Sequence, residues 1–600
     1  MMDCNEKWSV CNKKGDFEFI MNTFGVTAST ARLLINRDKT TEEEIREFLY
    51  PDEDNIHPGT LMRNLKEAAD IIEEKLSSRK KIRIIGDYDA DGIMSTFILY
   101  DALKKMGAEA DFYIPDRIKD GYGINADMIA KAAEDGIDTV LTCDNGISAT
   151  DAADKAKERG ITLIVTDHHE LPEILPDACV IVDPKHPEDT YPCKDICGAV
   201  VAAKLAVELL NRGLTPSAQQ SDKASRSPYY RYIEYMAIAT ICDVVPLHKE
   251  NKTIASLGLK KLNEKYHSAS CTDDGSINMG LKALIDLCDI KGAISDHTVG
   301  FIIGPCLNAT GRLDLAGRAL HMLLAKDPAQ ALKYAGECRE LNEERKAMTI
   351  SETGKALNFL EEEAVSDRVL VVELPDCHES LAGIIAGRIR EKYIKPVFVL
   401  TKGKDMIKGS GRSIPGYNMF GEMQKCSELF SKFGGHPMAA GLSLPEENVA
   451  AFRKKINAIC TLTEEDMKKK VLLDAAVPIS AFDEKSVEEL SLFEPCGPEN
   501  PAPLFGDRNN KVIRLRRIGK NNNFLKLTME DSKGIRYSAV CFKDAEEVIG
   551  ALSGKYGTAQ VDRAFEGRDN DIRLTISYIP EINEYNGIRS IQMKIQGILY

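Results

Sequence analysis

The sequence predicts an α/β protein: a parallel-sheet domain, a second α/β domain joined to it by a long helix, and a C-terminal β-barrel. Three features carry this expectation. From Lys81 onward, short β-branched runs alternate with helix-forming stretches, which is the grammar of βαβ units and a parallel sheet. Between Ala331 and Glu362 the chain is strongly helix-forming and charged (ECRELNEERKAM). After Val471, short runs of alternating polarity follow proline and glycine turns, the pattern of a small antiparallel barrel.

Taken in order, residues 1–55 read as a helical lead-in, with Thr41 and Glu44 in capping-box spacing ahead of IREFL. Residues 56–330 form the first α/β domain, with strands in KIRIIGDYD, DTVLTCDNG, ITLIVTDHH and CVIVDP and helices in STFILYDALKKMG and ATDAADKAKERG. Loop breaks are expected at 215–230 and 267–278, where Ser, Gln, Asp and Gly cluster. Residues 331–362 form a solvent-exposed bridging helix, charged on most faces. The second α/β domain, 363–460, contains RVLVVEL and KPVFVLT. The barrel, 468–600, contains KVIRLRRI, FLKLTM, RYSAVCF and DIRLTISYI. A chain of 600 residues exceeds one core, and about 150 residues per domain gives roughly three to four. There is no 20 to 50 residue repeat of the solenoid kind.

Composition narrows the class. With 43% hydrophobic and 28% charged residues the chain is an ordinary water-soluble folder. No apolar run suits a signal peptide or a membrane span. Sixteen cysteines without CxxC pairs read as reduced thiols, and the expected location is the cytoplasm. A net charge of -15 argues against a protein that coats nucleic acid non-specifically. One segment opposes that balance: Lys511, Arg514, Arg516, Arg517, Lys520 and Lys526 precede any acid before Glu530, placing a basic strand pair on an acidic body.

The chemistry concentrates just after the apolar runs, at the carboxyl ends of neighbouring strands, where open α/β sheets bind ligands. GDYDADG sets Asp87, Asp89 and Asp91 behind the first run, Asp144 ends the second, Asp167-His168-His169 the third, and Asp243 follows the helical stretch YIEYMAIAT. Crowded carboxylates repel one another and need water or cations. Alternation would put the three aspartates of GDYDADG on one side, while Gly86 and Gly92 imply a turn that re-aims them. An oxygen and imidazole set suits two Mn²⁺ or Mg²⁺ ions, and paired ions about 3.5 to 4 Å apart promote attack of water on phosphorus. Arg312 in NATGR and Arg412 in KGSGRS sit among small residues, where a guanidinium can grip a phosphate.

GDYDADG, DNG, DHH and Asp243 resemble, in order and setting, the four motifs of the DHH phosphoesterase superfamily. The likeness to its RecJ branch of single-strand-specific 5'-to-3' DNA exonucleases continues through FLYPDEDNIHP, PDRIKDGYGIN, YPCKDICGAVVAAKL, GPCLNATGRLD, LNEERK, KGSGRSI, FGGHPMAAGLSL, EPCGPENPAPLF and INEYNGIRSIQ. The resemblance implies a DHH domain, a DHH-associated domain and an OB-fold. It implies a metal-dependent exonuclease that degrades single-stranded DNA to mononucleotides in repair and recombination. It casts Asp89 and Asp91 as ligands to separate metals with Asp87 beside them, Asp144 as the bridge, and His168 and Asp243 as further ligands. His169 would sit by the scissile phosphate, Asp167 would orient a histidine, and Arg312, Arg412, Ser410 and His436 would clamp the nucleotide. The OB-fold would lead the strand along Lys511, Arg514, Arg516 and Arg517. Phe524, Tyr537 and Phe542 are stacking candidates, although core burial is the expectation for each.

The chain departs from the family pattern at Asp183, Ser380 and Cys496, departures expected to touch only packing and strand affinity. Two other readings stay open: an oligonucleotide or phosphoadenosine phosphatase, and a non-catalytic replication scaffold. Which helicase or single-strand-binding protein would deliver the strand is not encoded in any motif.

Overall fold

The computed structural model describes residues 6–117, 119–121, 123–213, 227–268, 276–313, 317–362, 366–585 and 587–600. Most of the two expected loop breaks lies outside the described residues. Two compact units form: Asp52–Lys468, and the chain ends Met1–Pro51 with Lys469–Tyr600. Among the described residues, no helix is long and apolar enough to cross a membrane.

Strand β1 (Glu6–Val10) belongs to the unit of the chain ends. The larger unit begins its first sheet with β2 (Ile82–Ile85), β3 (Ala110–Tyr113), β4 (Thr139–Cys143), β5 (Thr162–Thr166) and β6 (Val180–Val182). All pairings are parallel, in the order β3-β2-β4-β5-β6. These strands read as apolar runs because both faces are covered. Ile82, Ile84, Leu141 and Ile164 pack with Leu99 and Leu103 of helix Ala90–Lys105 and with Leu205 and Leu209 of helix Gly198–Gly213. Ile85, Val140 and Val165 face the other way, onto Ile129 and Ala132 of helix Ala126–Glu134 and Ala152 and Ala156 of helix Thr150–Arg159. From β2 the chain moves to one neighbour, β3, and then returns to β4 on the other side. That reversal opens a crevice at the carboxyl ends of β2 and β4.

Helix Gly198–Gly213 is anchored by a buried ion pair. The Lys204 ammonium donates to Glu250 and to the His57 carbonyl, and both charged side chains are 0% exposed. Glu250 also accepts from the Tyr191 hydroxyl at 2.6 Å and the His57 amide at 3.1 Å, and the ammonium lies 4.3 Å from the Tyr229 ring centroid. His57, near the end of FLYPDEDNIHP, is thereby tied to the helix that reaches the crevice.

The bridging element is a helix of 35 residues, Pro328–Glu362. It differs from the exposed helix expected: Ala331, Ala335, Cys338, Asn342, Thr349, Thr353, Ala356 and Leu360 are buried along one stripe. The stripe is mostly small residues, which lets neighbouring elements approach closely but leaves little hydrophobic periodicity to read. Beyond it lie β7 (Leu370–Glu373), β8 (Val397–Lys402), β9 (Ile407–Arg412), β10 (Lys432–His436) and β11 (Ala439–Leu444), in the order β10-β11-β9-β8-β7. Only β7 and β8 pair in parallel. The glycines of KGSGR sit in β9 because a Cβ on Gly409 would come 2.5 Å from Leu400, and one on Gly411 2.7 Å from Phe398.

In the smaller unit β1 pairs in parallel with β12 (Lys469–Leu473). β13 (Ala475–Ala476) lies along β14 (Phe505–Ile518), and β15 (Phe524–Glu530), β16 (Arg536–Cys541), β17 (Arg573–Tyr585) and β18 (Ile588–Leu599) follow. The circuit β14-β15-β16-β18-β17 closes because β14 also pairs with β17. The barrel is not purely antiparallel as expected. Helices Ala545–Tyr556 and Thr558–Glu566 carry the chain across after β16, so β18 pairs with β16 in parallel.

Residues of the first helices, Ile20, Leu33, Leu34 and Phe48, share one core with Phe493, Phe505 and Leu515. The Thr41–Glu44 capping box starts helix Glu42–Leu49. Arg37 bridges Asp474 at 3.0 Å and donates to the Pro501 carbonyl at 2.7 Å. Glu489 accepts from the Thr27 amide at 2.8 Å and from the Thr27 and Thr30 hydroxyls at 2.6 Å. Residues 6–51 are thus a wall of the barrel unit.

Removing one member of a buried ion pair strands the other charge. Lys204→Met is expected to lower unfolding stability by about 3–5 kcal/mol, read as a lower denaturant midpoint. A Lys204→Met, Glu250→Gln double variant recovers part of that loss; a single variant as stable as the parent contradicts the pair's role.

Candidate metal centre and phosphate pocket

β2 ends at Ile85, and the chain turns straight into helix Ala90–Lys105. Asp89 caps that helix, its Oδ1 accepting from the Asp91 amide at 3.0 Å and the Gly92 amide at 3.1 Å. A Cβ on Gly92 would collide with the Asp87 backbone, and one on Gly86 with the Thr96 hydroxyl. The two glycines let the helix pack onto its own entry turn, and Asp87 and Asp89 then fall in one set of ligand-type atoms and Asp91 in another.

Asp91, in the first helical turn, reaches the start of helix Gly198–Gly213. Its Oδ2 accepts from the Gly198 amide at 2.6 Å and its Oδ1 from the Ala199 amide at 2.7 Å, placing the carboxylate at the positive end of a helix dipole. Gly198 also backs Asp144, since a Cβ there would lie 2.7 Å from the Asp144 Cβ. Asp144 follows β4 in the left-handed region (φ 61°), which aspartate tolerates better than most residues. Asn145 ties the strand ends together. Its Nδ2 donates to the Ile85 and Cys143 carbonyls at 3.1 and 2.9 Å, and its Oδ1 accepts from the Ile124 amide at 3.1 Å. Asn308 Oδ1 accepts from the Ala90 amide at 2.7 Å. The sequence reading missed Gly198, Asn145 and Asn308 as supports, although all three lie within motifs it quotes.

After β5, Asp167 and the two histidines divide their work. Asp167 Oδ2 accepts from the Ile147 amide at 2.9 Å, while its Oδ1 takes the His168 amide at 2.8 Å and faces His169 Nδ1 at 2.7 Å. Asp167 is occupied in holding its neighbours. His168 Nε2 lies 3.0 Å from Asp144 Oδ1, 3.6 Å from Asp91 Oδ2 and 3.8 Å from Asp243 Oδ2. Asp243 ends helix Ile233–Cys242 as its C-cap. Three overlapping sets, Asp87/Asp89/Asp144, Asp91/His168/Asp243 and Asp144/His168/His169, each bring ligand-type atoms within 4.8 Å of one another.

Burial and mutual repulsion act together on these groups. Burial raises the Asp87 and Asp144 carboxyls well above the ordinary range, with further repulsion from Asp89 on Asp87 and from Asp91 and Asp89 on Asp144. Burial, then the neighbouring aspartates, pushes Asp243 up to about 8. Burial lowers His168, favouring a neutral imidazole. For His169 burial acts downward, but the Asp167 hydrogen bond and the charges of Asp167, Asp243 and Asp91 together outweigh it, taking the ring up to about 9. Among the described residues Asp87 Oδ1 is buried with no hydrogen-bond partner. An orphaned carboxylate oxygen, self-repelling acids and a neutral imidazole form a donor set that fits divalent cations of the Mn²⁺ or Mg²⁺ type. Asp183, beside this group, is raised to about 7, chiefly by burial, with Asp167 adding repulsion.

In the same unit lies a cavity of about 740 Å³ lined by Arg117, Arg312, Ser380, Arg388, Ser410 and Arg412, among others. Arg312 donates to the Ser380 carbonyl at 2.8 Å, and Arg412 to the Gly411 carbonyl at 2.8 Å and Ser410 Oγ at 3.3 Å. Gly383 makes room for the Arg412 guanidinium, from which a Cβ would be 2.7 Å away. Burial brings Arg312 down to about 10 and lowers Arg412, and Arg117 repels both. The Arg117 guanidinium stands 5.5 Å from the ring centroid of Tyr88, within GDYDADG, linking the cavity to the carboxylate cluster. Arg117 and Arg388 were not anticipated. His436 lies exposed on β10 and is not part of the cavity lining. Ser380, whose departure was expected to affect packing or strand affinity, lines the cavity, and its backbone carbonyl accepts from Arg312.

On the barrel, Lys511 pairs with Asp569 at 2.7 Å and Arg517 with Glu546 at 2.8 Å, while Arg514 and Arg516 are exposed on β14. Tyr537 is buried as expected, but Phe542 is 51% exposed. It follows the last residue of β16, beyond the barrel core, edge-on to Phe524 at 5.3 Å and with Lys594 5.9 Å from its centroid.

The DHH family, N-terminal domain, matches residues 81–240, the DHHA1 domain residues 366–462, and the RecJ OB domain residues 473–597. The chain is 34% identical over 603 residues to the single-stranded-DNA-specific exonuclease RecJ of Bacillus subtilis (strain 168), covering 99% of this chain and 71% of that relative. It is 30% identical over 561 residues to the Escherichia coli (strain K12) protein of the same name, covering 90% and 91%. Among solved structures, RecJ in complex with Mn²⁺ from Thermus thermophilus superposes with a TM-score of 0.79 at 26% identity, over 100% of this chain and 80% of that one. A likeness that runs through the parallel sheet, the second sheet and the closed barrel alike makes this chain a member of the RecJ family.

Proposed function

We propose that the protein is a metal-dependent 5'-to-3' exonuclease that degrades single-stranded DNA to mononucleotides in repair and recombination. The observation that carries this reading is the buried, self-repelling carboxylate cluster at the sheet's switch point, in one unit with a cationic cavity. Relatives named for single-stranded-DNA-specific exonuclease activity support it. Two Mn²⁺ or Mg²⁺ ions would be held by Asp87, Asp89, Asp91, Asp144, His168 and Asp243. When bound, such ions activate water and neutralise charge on the phosphoryl group.

The chain's own groups do the rest. Amides at the start of helix Gly198–Gly213 fix Asp91, so its lone pairs keep one orientation. His169, kept protonated by Asp167, presents a cation and a proton donor to the phosphate and the departing oxygen. Arg312, Arg412 and Ser410 hold the terminal nucleotide's phosphate, because burial in the cavity weakens the hydration of both guanidiniums and favours an anionic partner. His436 would approach the strand from β10. On the barrel, Arg514 and Arg516 offer exposed cations, Lys511 and Arg517 exchange surface ion pairs of small worth for phosphates, and Phe542 offers a stacking face. A phosphatase of short substrates would have no use for this second surface. The proposed setting is the cytoplasm, with a helicase or single-strand-binding protein supplying the strand.

On 5'-labelled single strands with Mn²⁺, mononucleotide is the expected first product, and Asp144→Ala lowers its release by at least about 100-fold. Equal rates in the two proteins exclude this site. His169→Gln is expected to slow cleavage by about 10² to 10⁴-fold. It also removes an alkaline decline in rate, which in the parent follows loss of the His169 proton near pH 9.

The raised carboxyls also set a stability prediction. In the metal-free fold Asp243 holds its proton up to about pH 8, whereas an unfolded aspartate releases it near about 3.9. The folded state therefore binds more protons between these values, and metal-free stability falls as pH rises across that window. Mn²⁺ replaces those protons, so its stabilising effect on Tm grows from pH 5.5 to 8, while Asp144→Asn flattens both trends. A Mn²⁺ shift of equal size at both pH values contradicts the assignment.

A further inference from the structure

A second reactive cluster lies away from the carboxylates, where helices Met279–Leu287, Gly304–Thr310 and Pro328–Glu362 meet. Cys288 closes the first helix as its C-cap, and Cys306 is buried in the second. Their sulfurs are 4.0 Å apart. Asn342 of the long helix donates to Cys306 Sγ at 3.3 Å, and its own Oδ1 accepts from Arg345 at 3.1 and 3.0 Å. The two thiols are not equivalent. Cys288 is partly exposed, and the Cys306 hydrogen bond, assisted by Arg339 and Lys346, lowers its thiol to about 7. One sulfur is thus a reachable nucleophile and the other a buried partner beside it.

We propose that Cys288 and Cys306 are an oxidation site, converted by peroxide into a reversible intramolecular disulfide. The Cys288 thiolate attacks one peroxide oxygen, breaking the O–O bond to give a sulfenic acid and hydroxide, which takes up a proton as water. Cys306 sulfur then attacks the sulfenic sulfur, the S–O bond breaks, and a second water leaves with the Cys306 proton. In sum two thiols and hydrogen peroxide give one disulfide and two waters. A dithiol reductant reverses the bond by thiol–disulfide exchange and is itself oxidised.

Closing the bond draws the sulfurs about 2 Å nearer, and Cys306 lies two residues from Asn308, which holds the Ala90 amide in the turn that carries Asp89 and Asp91. Oxidation is therefore expected to disturb that turn and slow cleavage, an effect that rests on the nuclease reading, whereas the bond itself does not.

The full chain is treated with hydrogen peroxide, alkylated, digested without reduction and mapped by mass spectrometry, in the parent and in Cys288→Ser and Cys306→Ser. The expected result is one peptide pair joined through Cys288 and Cys306, absent from both variants and released by dithiothreitol. Mn²⁺-dependent cleavage falls about tenfold or more on oxidation and recovers on reduction, while Cys288→Ser keeps its rate in peroxide. Separately alkylated Cys288 and Cys306 after peroxide, or a bond from Cys306 to Cys338 in their place, would each overturn the proposal, and a Cys288–Cys306 bond that leaves the cleavage rate unchanged would overturn its effect on the turn. If the parent proves inactive on DNA, the nuclease reading fails while the peptide map still decides the bond.

Discussion

The repulsion among buried carboxylates at the carboxyl edge of the first sheet is the constraint around which the larger unit is arranged. Asp87, Asp91, Asp144 and Asp243 are all pushed toward the protonated form. A fold that keeps such groups together must hold each by something stiffer than its own side chain. It uses backbone amides: two at the start of helix Gly198–Gly213 for Asp91, and two in the first turn of helix Ala90–Lys105 for Asp89. Fixed dipoles cost no reorganisation when a cation or a phosphate arrives. One oxygen of Asp87 is buried without a hydrogen-bond partner among the described residues.

That arrangement depends on packing some distance away. Helix Gly198–Gly213 can present its amides at one end because Lys204 and Glu250 lock it to the segment before the sheet. The ends of β2 and β4 stay together because Asn145 satisfies carbonyls from both strands. The Ala90 amide is met by Asn308, from the same short stretch that leads to Arg312. The carboxylate cluster and the cationic cavity are thus supported by one set of connections, and GPCLNATGR contributes to both. The thiol pair at Cys288 and Cys306 lies beside this path, with Cys306 two residues before Asn308.

The barrel unit solves a separate problem. A small closed barrel offers limited apolar area, and here the first helices of the chain enlarge its core through Leu33, Leu34 and Phe48. Buried polar contacts from Arg37 and Glu489 then fix those helices in place. The outer surface is left for exposed cations on β14 and for Phe542.

Much of this was legible in the sequence. Local chemistry determined the alternation of strands and helices, the capping box at Thr41 and Glu44, the glycine-framed turn of GDYDADG, and the placement of acids and histidines after successive strands. Each depends on residues close together in the chain, through periodicity, capping or backbone freedom. Tertiary structure alone decided that the N-terminal helices wall the barrel, that β16 and β18 run parallel, and that the Gly198 and Ala199 amides grip Asp91. It also decided that Arg117 joins Arg312 and Arg412, and that one stripe of the long helix is buried. Those outcomes join segments from about thirty to several hundred residues apart, and their partners are backbone groups, small side chains or ordinary arginines whose identity carries no trace of what they will meet.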